Sequence, residues 1–154
     1  MVNRAKKDQL VIFREHCHNR SLRVTPQRIA IYEELCRCSN HPSAEQVYLQ
    51  VKTRFTTISL NTVNETLLTF SQIGLINIVE GFGSPRRYDP NLEIHHHVHC
   101  TDCGTILDFY GDSFNRIKPL EKIARSFEIL STKVVMTGIC RKCKKKRTSE
   151  TNKI

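Results

Sequence analysis

Through the first half of the chain apolar residues recur three and four positions apart, the period of helices with one buried face. Leu10, Phe13, Arg14 and Cys17 mark a partly amphipathic helix over about residues 6–19. Thr25 followed by Pro26 reads as an N-cap with proline at the first helical position, and Ile29, Tyr32 and Cys36 then recur at helical spacing. Ser43 and Gln46 form a capping box that opens a third helix, with Val47, Tyr48 and Val51 inward. Ser59 caps a fourth, faced by Leu60, Val63, Leu67 and Phe70 or Ile73, and Gly74 sits where a helix usually ends in a left-handed residue. Two short extended runs follow, 75–80 and 86–89, with a turn over 81–85 between them. Helices followed by a β-hairpin is the order of a winged helix, whose last helix before the hairpin, here 59–73, enters the major groove.

Pro90 and Asn91 mark a linker, and the pattern then changes. Strands are expected around 98–101 and 105–110, and a helix over about 113–126, interrupted or kinked at Pro119. The run 129–139 is β-branched and alternating. This α+β half, roughly 60 residues, is too small to bury a good core alone. A bound metal and self-association would supply what it lacks, so a homodimer is expected.

Composition narrows the picture. The 154 residues are 39% hydrophobic, enough for one ordinary domain or two small ones, and too apolar for disorder. No apolar run approaches the ~20 residues that span a bilayer. Residues 1–10 are polar and charged, unlike a secretory signal. A cytoplasmic protein with reduced thiols and no membrane partner is expected. Lys and Arg number 24 against 15 Asp and Glu, a net +9 that favours a polyanionic partner, nucleic acid first. Lys144 to Arg147 belong to this surplus; a specific contact and a solvated tail suit them equally. Arg23, ahead of the second helix, and Arg86 and Arg87 on the hairpin are candidates to meet phosphates.

Seven cysteines are an odd number for a disulfide framework. Four fall into two C-x-x-C pairs, Cys100 with Cys103 and Cys140 with Cys143. Each pair can place two thiolates on one cation, and two pairs complete the tetrahedron of a structural zinc site. Gly104 suits the tight turn of such a knuckle. Arg141, Lys142 and Lys144 make the second pair a poor core segment. Cys17 and Cys36 read as small core residues and Cys38 as exposed.

Between linker and first knuckle stand His95, His96, His97 and His99. On a strand, His95, His97 and His99 share one side and His96 takes the other. Asp89 precedes the run and Asp108 follows it on the next strand. Imidazole with carboxylate suits Fe(II), Mn(II) or Zn(II). On spacing alone, a metal site and a solvent-exposed histidine cluster fit equally.

These residues resemble the Fur family of metal-dependent bacterial repressors. The matching pieces are Arg23-Val24-Thr25-Pro26-Gln27-Arg28, the stretch His41 to Tyr48, Ile58 to Val63, Gly74-Leu75-Ile76, the histidine run and both knuckles. The resemblance implies an N-terminal winged-helix DNA-binding domain over 1–89, a hinge over 90–94, an α/β dimerisation domain over 95–145 and a basic tail over 146–154. Within the family it points to the peroxide-sensing PerR group, whose regulatory ligands fall on His41, Asp89, His95, His97 and Asp108. It implies zinc in the cysteine site and Fe(II) or Mn(II) in the regulatory one. With Fe(II), peroxide would oxidise His41 or His95, a self-modification and not enzyme turnover. An additional site of some members falls on Ile94, His96, Asn115 and Thr132, a poor ligand set. The implied DNA face comprises Arg23, Ser59, Asn61, Thr62, Asn64, Arg86 and Arg87.

One departure stands out. The family's recognition helix commonly has tyrosine after Thr-Val, whereas Asn64 and Glu65 follow Thr62 and Val63 here. Asparagine pairs with adenine edges, but Glu65 repels phosphate unless it accepts from cytosine. The competing readings are an iron, manganese or zinc uptake regulator of the same family and a zinc-stapled adaptor that does not bind DNA. A metal-dependent hydrolase is disfavoured, since no H-E-x-x-H and no nucleophile constellation is present.

Overall fold

A computed structural model describes residues 2–79 and 85–151, with side chains described over 9–79 and 85–149. The chain divides into two compact units, Met1–Leu92 and Glu93–Ile154.

The first unit carries α1 (Val2–Asn19), α2 (Pro26–Arg37), α3 (Ala44–Val51) and α4 (Leu60–Gln72), then β1 (Asn77–Ile78) antiparallel to β2 (Tyr88–Asp89). Side chains fix the helix starts. Thr25 Oγ1 accepts the Arg28 N–H at 3.3 Å. Ser43 and Gln46 make both capping-box bonds, at 3.3 and 2.9 Å. Ser59 Oγ accepts the Thr62 N–H at 3.0 Å. Gly74 ends α4 at φ 75°, where a side chain would be strained. Three rings tie the helices together. Phe13 stacks on Tyr32 with centroids 5.1 Å apart, and Phe70 meets both edge-on at 5.7 and 6.1 Å. Ile31, Leu35, Val47, Val63 and Leu67 complete this core. Cys17 lies within it, Cys36 packs against it, and Cys38 is part-buried where exposure was expected. The strand expected over 75–80 pairs only at Asn77–Ile78. Glu80 and most of the expected turn, 81–84, lie outside the described residues.

In the second unit β3 (His96–Cys100) is central, with β4 (Ile106–Phe109) antiparallel on one side and β5 (Val135–Gly138) parallel on the other. The helix expected over 113–126 is instead two single turns, α5 (Asp112–Asn115) and α6 (Glu121–Ala124). Pro119 lacks an N–H and drives Lys118 out of the helical region, so no helix crosses it. The run 129–139 pairs only from Val135; one residue earlier the Val134 N–H is taken by the His96 ring instead. The expected tail is helical as far as Thr151, within α7 (Arg141–Thr151). This unit buries little apolar surface. Ile106 and Cys100 are covered, while Ile94, Leu120, Phe127 and Leu130 stand open to solvent.

Stability of the first unit rests on the aromatic cluster. Phe70→Ala should cost about 3–5 kcal/mol, read as a lower urea midpoint at unchanged slope.

Candidate metal centre

Four sulfurs converge in the second unit. The parallel register of β5 sets Gly138 opposite Cys100, and the Thr101 N–H donates to the Gly138 carbonyl at 2.9 Å. Cys140 therefore arrives beside the first knuckle, and α7 carries Cys143 behind it. The Sγ atoms of Cys100, Cys103, Cys140 and Cys143 all lie within 4.8 Å of one another. Those of Cys103 and Cys140 are 3.8 Å apart. Thiolates about 2.3 Å from a tetrahedral zinc stand about 3.8 Å from each other. Gly104, at φ 68°, turns the first knuckle, and its N–H donates to the Cys100 carbonyl at 2.9 Å.

Electrostatics agree with a cation there. The Cys140 N–H donates to Cys100 Sγ at 3.2 Å. That bond, followed by the Cys103 N–H, brings the Cys100 thiol down to about 6. The Thr105 hydroxyl, 3.2 Å from Cys103 Sγ, lowers Cys103. Cys143 moves up to about 12, chiefly through its hydrogen bond with Cys140, with burial and the sulfurs of Cys103 and Cys100 adding to it. Four sulfurs this close do not all ionise without a positive ion between them, and an all-thiolate tetrahedron is a zinc donor set. The outlying thiols differ: burial pushes Cys36 up to about 11, which leaves it inert.

β3 also delivers histidines. Antiparallel pairing sets His97 opposite Asp108, with Asp108 Oδ1 3.6 Å from His97 Nε2. His95 Nδ1 meets the Glu93 carbonyl at 2.7 Å, which places the proton on Nδ1 and leaves Nε2 as the ligand atom. That Nε2 lies 3.0 Å from His97 Nε2. Two nitrogens about 2.1 Å from a shared ion, at a right angle, are about 3.0 Å apart. His95 and His97 are thus a pair of nitrogen donors, with the Asp108 carboxylate beside His97; imidazole and carboxylate are donor types that suit Fe(II), Mn(II) or Zn(II).

His96 faces the other way and belongs to the core. It packs against Phe109 and Phe114, with centroids at 5.3 and 5.6 Å, and its Nδ1 accepts the Val134 N–H at 3.2 Å. Its buried Nε2 has no hydrogen-bond partner among the described residues. His96 is therefore neither a ligand nor part of a solvent-exposed cluster. Ile94, Asn115 and Thr132 line one cleft and offer it only an amide and a hydroxyl.

The first unit holds a smaller donor pair. His41 has a left-handed backbone, φ 51°, ahead of Pro42. Arg87 pins that loop: its guanidinium donates to the Asn40 carbonyl at 2.9 Å and to the His41 carbonyl. Arg87, expected at phosphates, is thus committed to the His41 loop, and burial lowers its pKa. Asp89 Oδ1 accepts the Asn91 N–H at 2.8 Å, and Asn77 grips the Asn91 carbonyl at 2.8 Å. Asp89 Oδ2 lies 3.8 Å from His41 Nε2.

Of the expected DNA-face residues, Arg23, Ser59, Asn61, Thr62 and Arg86 are exposed. The Ser59 and Thr62 hydroxyls meet at 2.8 Å within the α4 cap. Asn64 is half-buried, and its carbonyl accepts the hydroxyl of buried Tyr88 at 3.3 Å. With Asn61 and Arg86 they line a cleft between α4 and the wing. The Arg87 and Tyr88 contacts reach across 46 and 24 residues, and no local pattern announces them.

Cys143→Ser should release the zinc, one ion per chain, and lower helical circular dichroism by about the share of α7, since so short a cationic helix does not stand alone. Undiminished zinc in that variant would contradict the assignment.

Comparison with known proteins places this geometry. The model of the Ferric uptake regulator family matches residues 19–137. The chain is 31% identical to the peroxide-responsive repressor PerR of Staphylococcus epidermidis over 123 residues, 80% of this chain and 82% of that protein. It is 32% identical to PerR of Staphylococcus aureus over 125 residues, 81% of this chain and 84% of that one. The peroxide stress regulator of Campylobacter jejuni superposes with a TM-score of 0.62 at 28% identity, covering 87% of this chain and 98% of its own. The Helicobacter pylori ferric uptake regulator Fur gives 0.72 at 22% identity over 90% and 93%, a likeness of fold. The architecture is α+β, like that of these regulators with their winged-helix and dimerisation halves. No described helix is long and apolar enough to cross a membrane. The chain belongs to the Ferric uptake regulator family, whose members are metal-responsive transcription regulators and not enzymes.

Proposed function

We propose that this chain is a homodimeric, DNA-binding repressor in which His41, Asp89, His95, His97 and Asp108 hold one Fe(II) or Mn(II) ion, and that the Fe(II) form senses peroxide. The observation that carries the reading is the His95–His97 pair, with Nε2 atoms 3.0 Å apart and Asp108 alongside. Imidazole mixed with carboxylate suits these ions, whereas the four sulfurs suit zinc. Neither unit alone offers a full coordination sphere: the first contributes two of these donors and the second three. An ion that takes all five favours one arrangement of the winged helices in the dimer. Binding that arrangement more tightly shifts the population toward it, and the two recognition helices are then spaced for two half-sites.

The chain prepares these ligands in advance. The Glu93 carbonyl turns His95 Nε2 outward, Arg87 holds the His41 loop, and the Asn91 N–H orients Asp89. Fe(II) held there would supply the redox chemistry for peroxide, which would pass one oxygen to the ring of His41 or His95 and leave the other as water. The similarity to the staphylococcal peroxide-responsive repressors supports this reading. The runner-up is an iron, manganese or zinc uptake regulator that uses the same ligands without oxidation. An adaptor without DNA binding is favoured only by exposed Glu65 on α4.

Selection from a random duplex library with Mn(II)-loaded protein tests the first claim. Enrichment of one operator, bound in a metal-dependent and salt-sensitive way, is expected; no enrichment would leave the adaptor. Exposing the Fe(II) form to low peroxide should add one oxygen to the peptide holding His41 or His95 and abolish operator binding. Binding that persists without this gain identifies an uptake regulator. Arg87→Ala should weaken the regulatory ion about 10- to 100-fold with zinc content unchanged, as measured by competition with a chelating dye.

A further inference from the structure

The helix α7 breaks local rules of helix design. Six of its first seven residues are cations: Arg141, Lys142, Lys144, Lys145, Lys146 and Arg147. Its first turn has no acidic residue, so cations crowd the positive end of the helix dipole. Arg141 with Lys145 and Lys142 with Lys146 are like charges one turn apart, which repel. The segment carries no large apolar residue to offset this. Segments that break local rules without local compensation are where function is expected.

The helix is held from one side. Cys143 joins the sulfur cluster, and Arg147 pairs with Asp102 inside the first knuckle at 2.5 Å. The Lys144 N–H donates to the Cys140 carbonyl at 2.9 Å. At about 100° per residue, Cys143 and Arg147 project together, and the other five cations spread over roughly the opposite 200°. Those five are exposed, with no carboxylate partner among the described residues. A zinc tetrathiolate carries two net negative charges, but it lies on the anchored side and leaves the outer face uncompensated.

We propose that the outer face of α7 is a second DNA-contacting surface, which binds phosphates of duplex DNA and is ordered by the zinc site. This rests on the DNA-binding reading above, though not on the operator. With no aromatic residue, α7 offers no platform for stacking single-stranded bases. With no apolar stripe, it does not insert into a membrane surface. Duplex phosphates, read through charge alone, are the polyanion this face suits in a chain read as DNA-binding.

The test uses the full, zinc-loaded chain carrying Arg141→Gln, Lys144→Gln and Lys145→Gln together. Anisotropy is followed on a mixed-sequence duplex of roughly 40 base pairs between about 50 and 200 mM salt. The slope of log affinity against log salt should flatten by about 0.9 for each phosphate left without its cation, about 2–3 for the three positions in each chain. Affinity at low salt should fall at least tenfold, with zinc content and oligomeric state unchanged. The charge-keeping set Arg141→Lys, Lys144→Arg and Lys145→Arg should restore the slope. Unchanged slope and affinity in the glutamine variant would overturn the proposal, as would an equal effect on single-stranded DNA of the same length. If operator selection fails while the glutamine variant still flattens the slope on duplex, the repressor reading falls and this surface stands. A metal-dependent operator complex indifferent to the variant would remove this surface and leave the repressor reading standing.

Discussion

The register of one five-residue strand governs both donor clusters of the second unit. Antiparallel pairing with β4 sets His97 opposite Asp108, and parallel pairing with β5 sets Cys100 opposite Gly138, two residues short of Cys140. A slip of one residue would turn His96 toward Asp108's face and draw the knuckles apart. Burial contributes little to this register, because few apolar side chains of the unit are covered. The sulfur cluster closes the gap: a cation among four sulfurs locks β3, β5 and α7 into one alignment.

The two donor sets divide the work by chemistry. Backbone N–H groups favour the thiolate at Cys100, and close sulfurs resist further ionisation at Cys143, so the cluster asks for a soft, permanent ion. All its donors come from one unit, which fits a staple. The nitrogen and oxygen donors are harder and fewer in each unit, and three are held by neighbours: His95 by the Glu93 carbonyl, Asp89 by the Asn91 N–H, the His41 loop by Arg87. The strained φ of His41 is maintained by that guanidinium, so a wing residue positions a proposed metal ligand.

Features that depend on neighbours three or four residues away were legible in the sequence. The caps at Thr25, Ser43 and Ser59, the glycine at 74 and both cysteine knuckles need only local spacing. Features set by distant partners were not. The length of β5 is decided by its partners on β3, and the His96 ring takes the Val134 N–H, so an alternating run of 129–139 shrank to Val135–Gly138. The break at Pro119 was legible over 113–126, but not that each side of it would hold only a single turn. Strand alternation put His96 on the other side from His95 and His97, but only the rings of Phe109 and Phe114 make that side core. Arg87 looked like a phosphate contact because its carbonyl partners lie 46 and 47 residues away. Composition left Lys144 to Arg147 open between a contact and a solvated tail, and attachment at Cys143 and Asp102 holds them in a helix. His41 as a ligand came from family resemblance, since no spacing connects it to the histidine run.

Regulation in the proposed scheme requires one ion to draw ligands from both units. Manganese electron paramagnetic resonance, titrating Mn(II) into the zinc-loaded chain, decides whether it does. One tight Mn(II) per chain is expected, lost alike in Asp89→Ala from the first unit and Asp108→Ala from the second, with zinc retained in both. Tight Mn(II) binding that survives Asp89→Ala unchanged while Asp108→Ala abolishes it would show a site confined to the second unit and contradict the scheme.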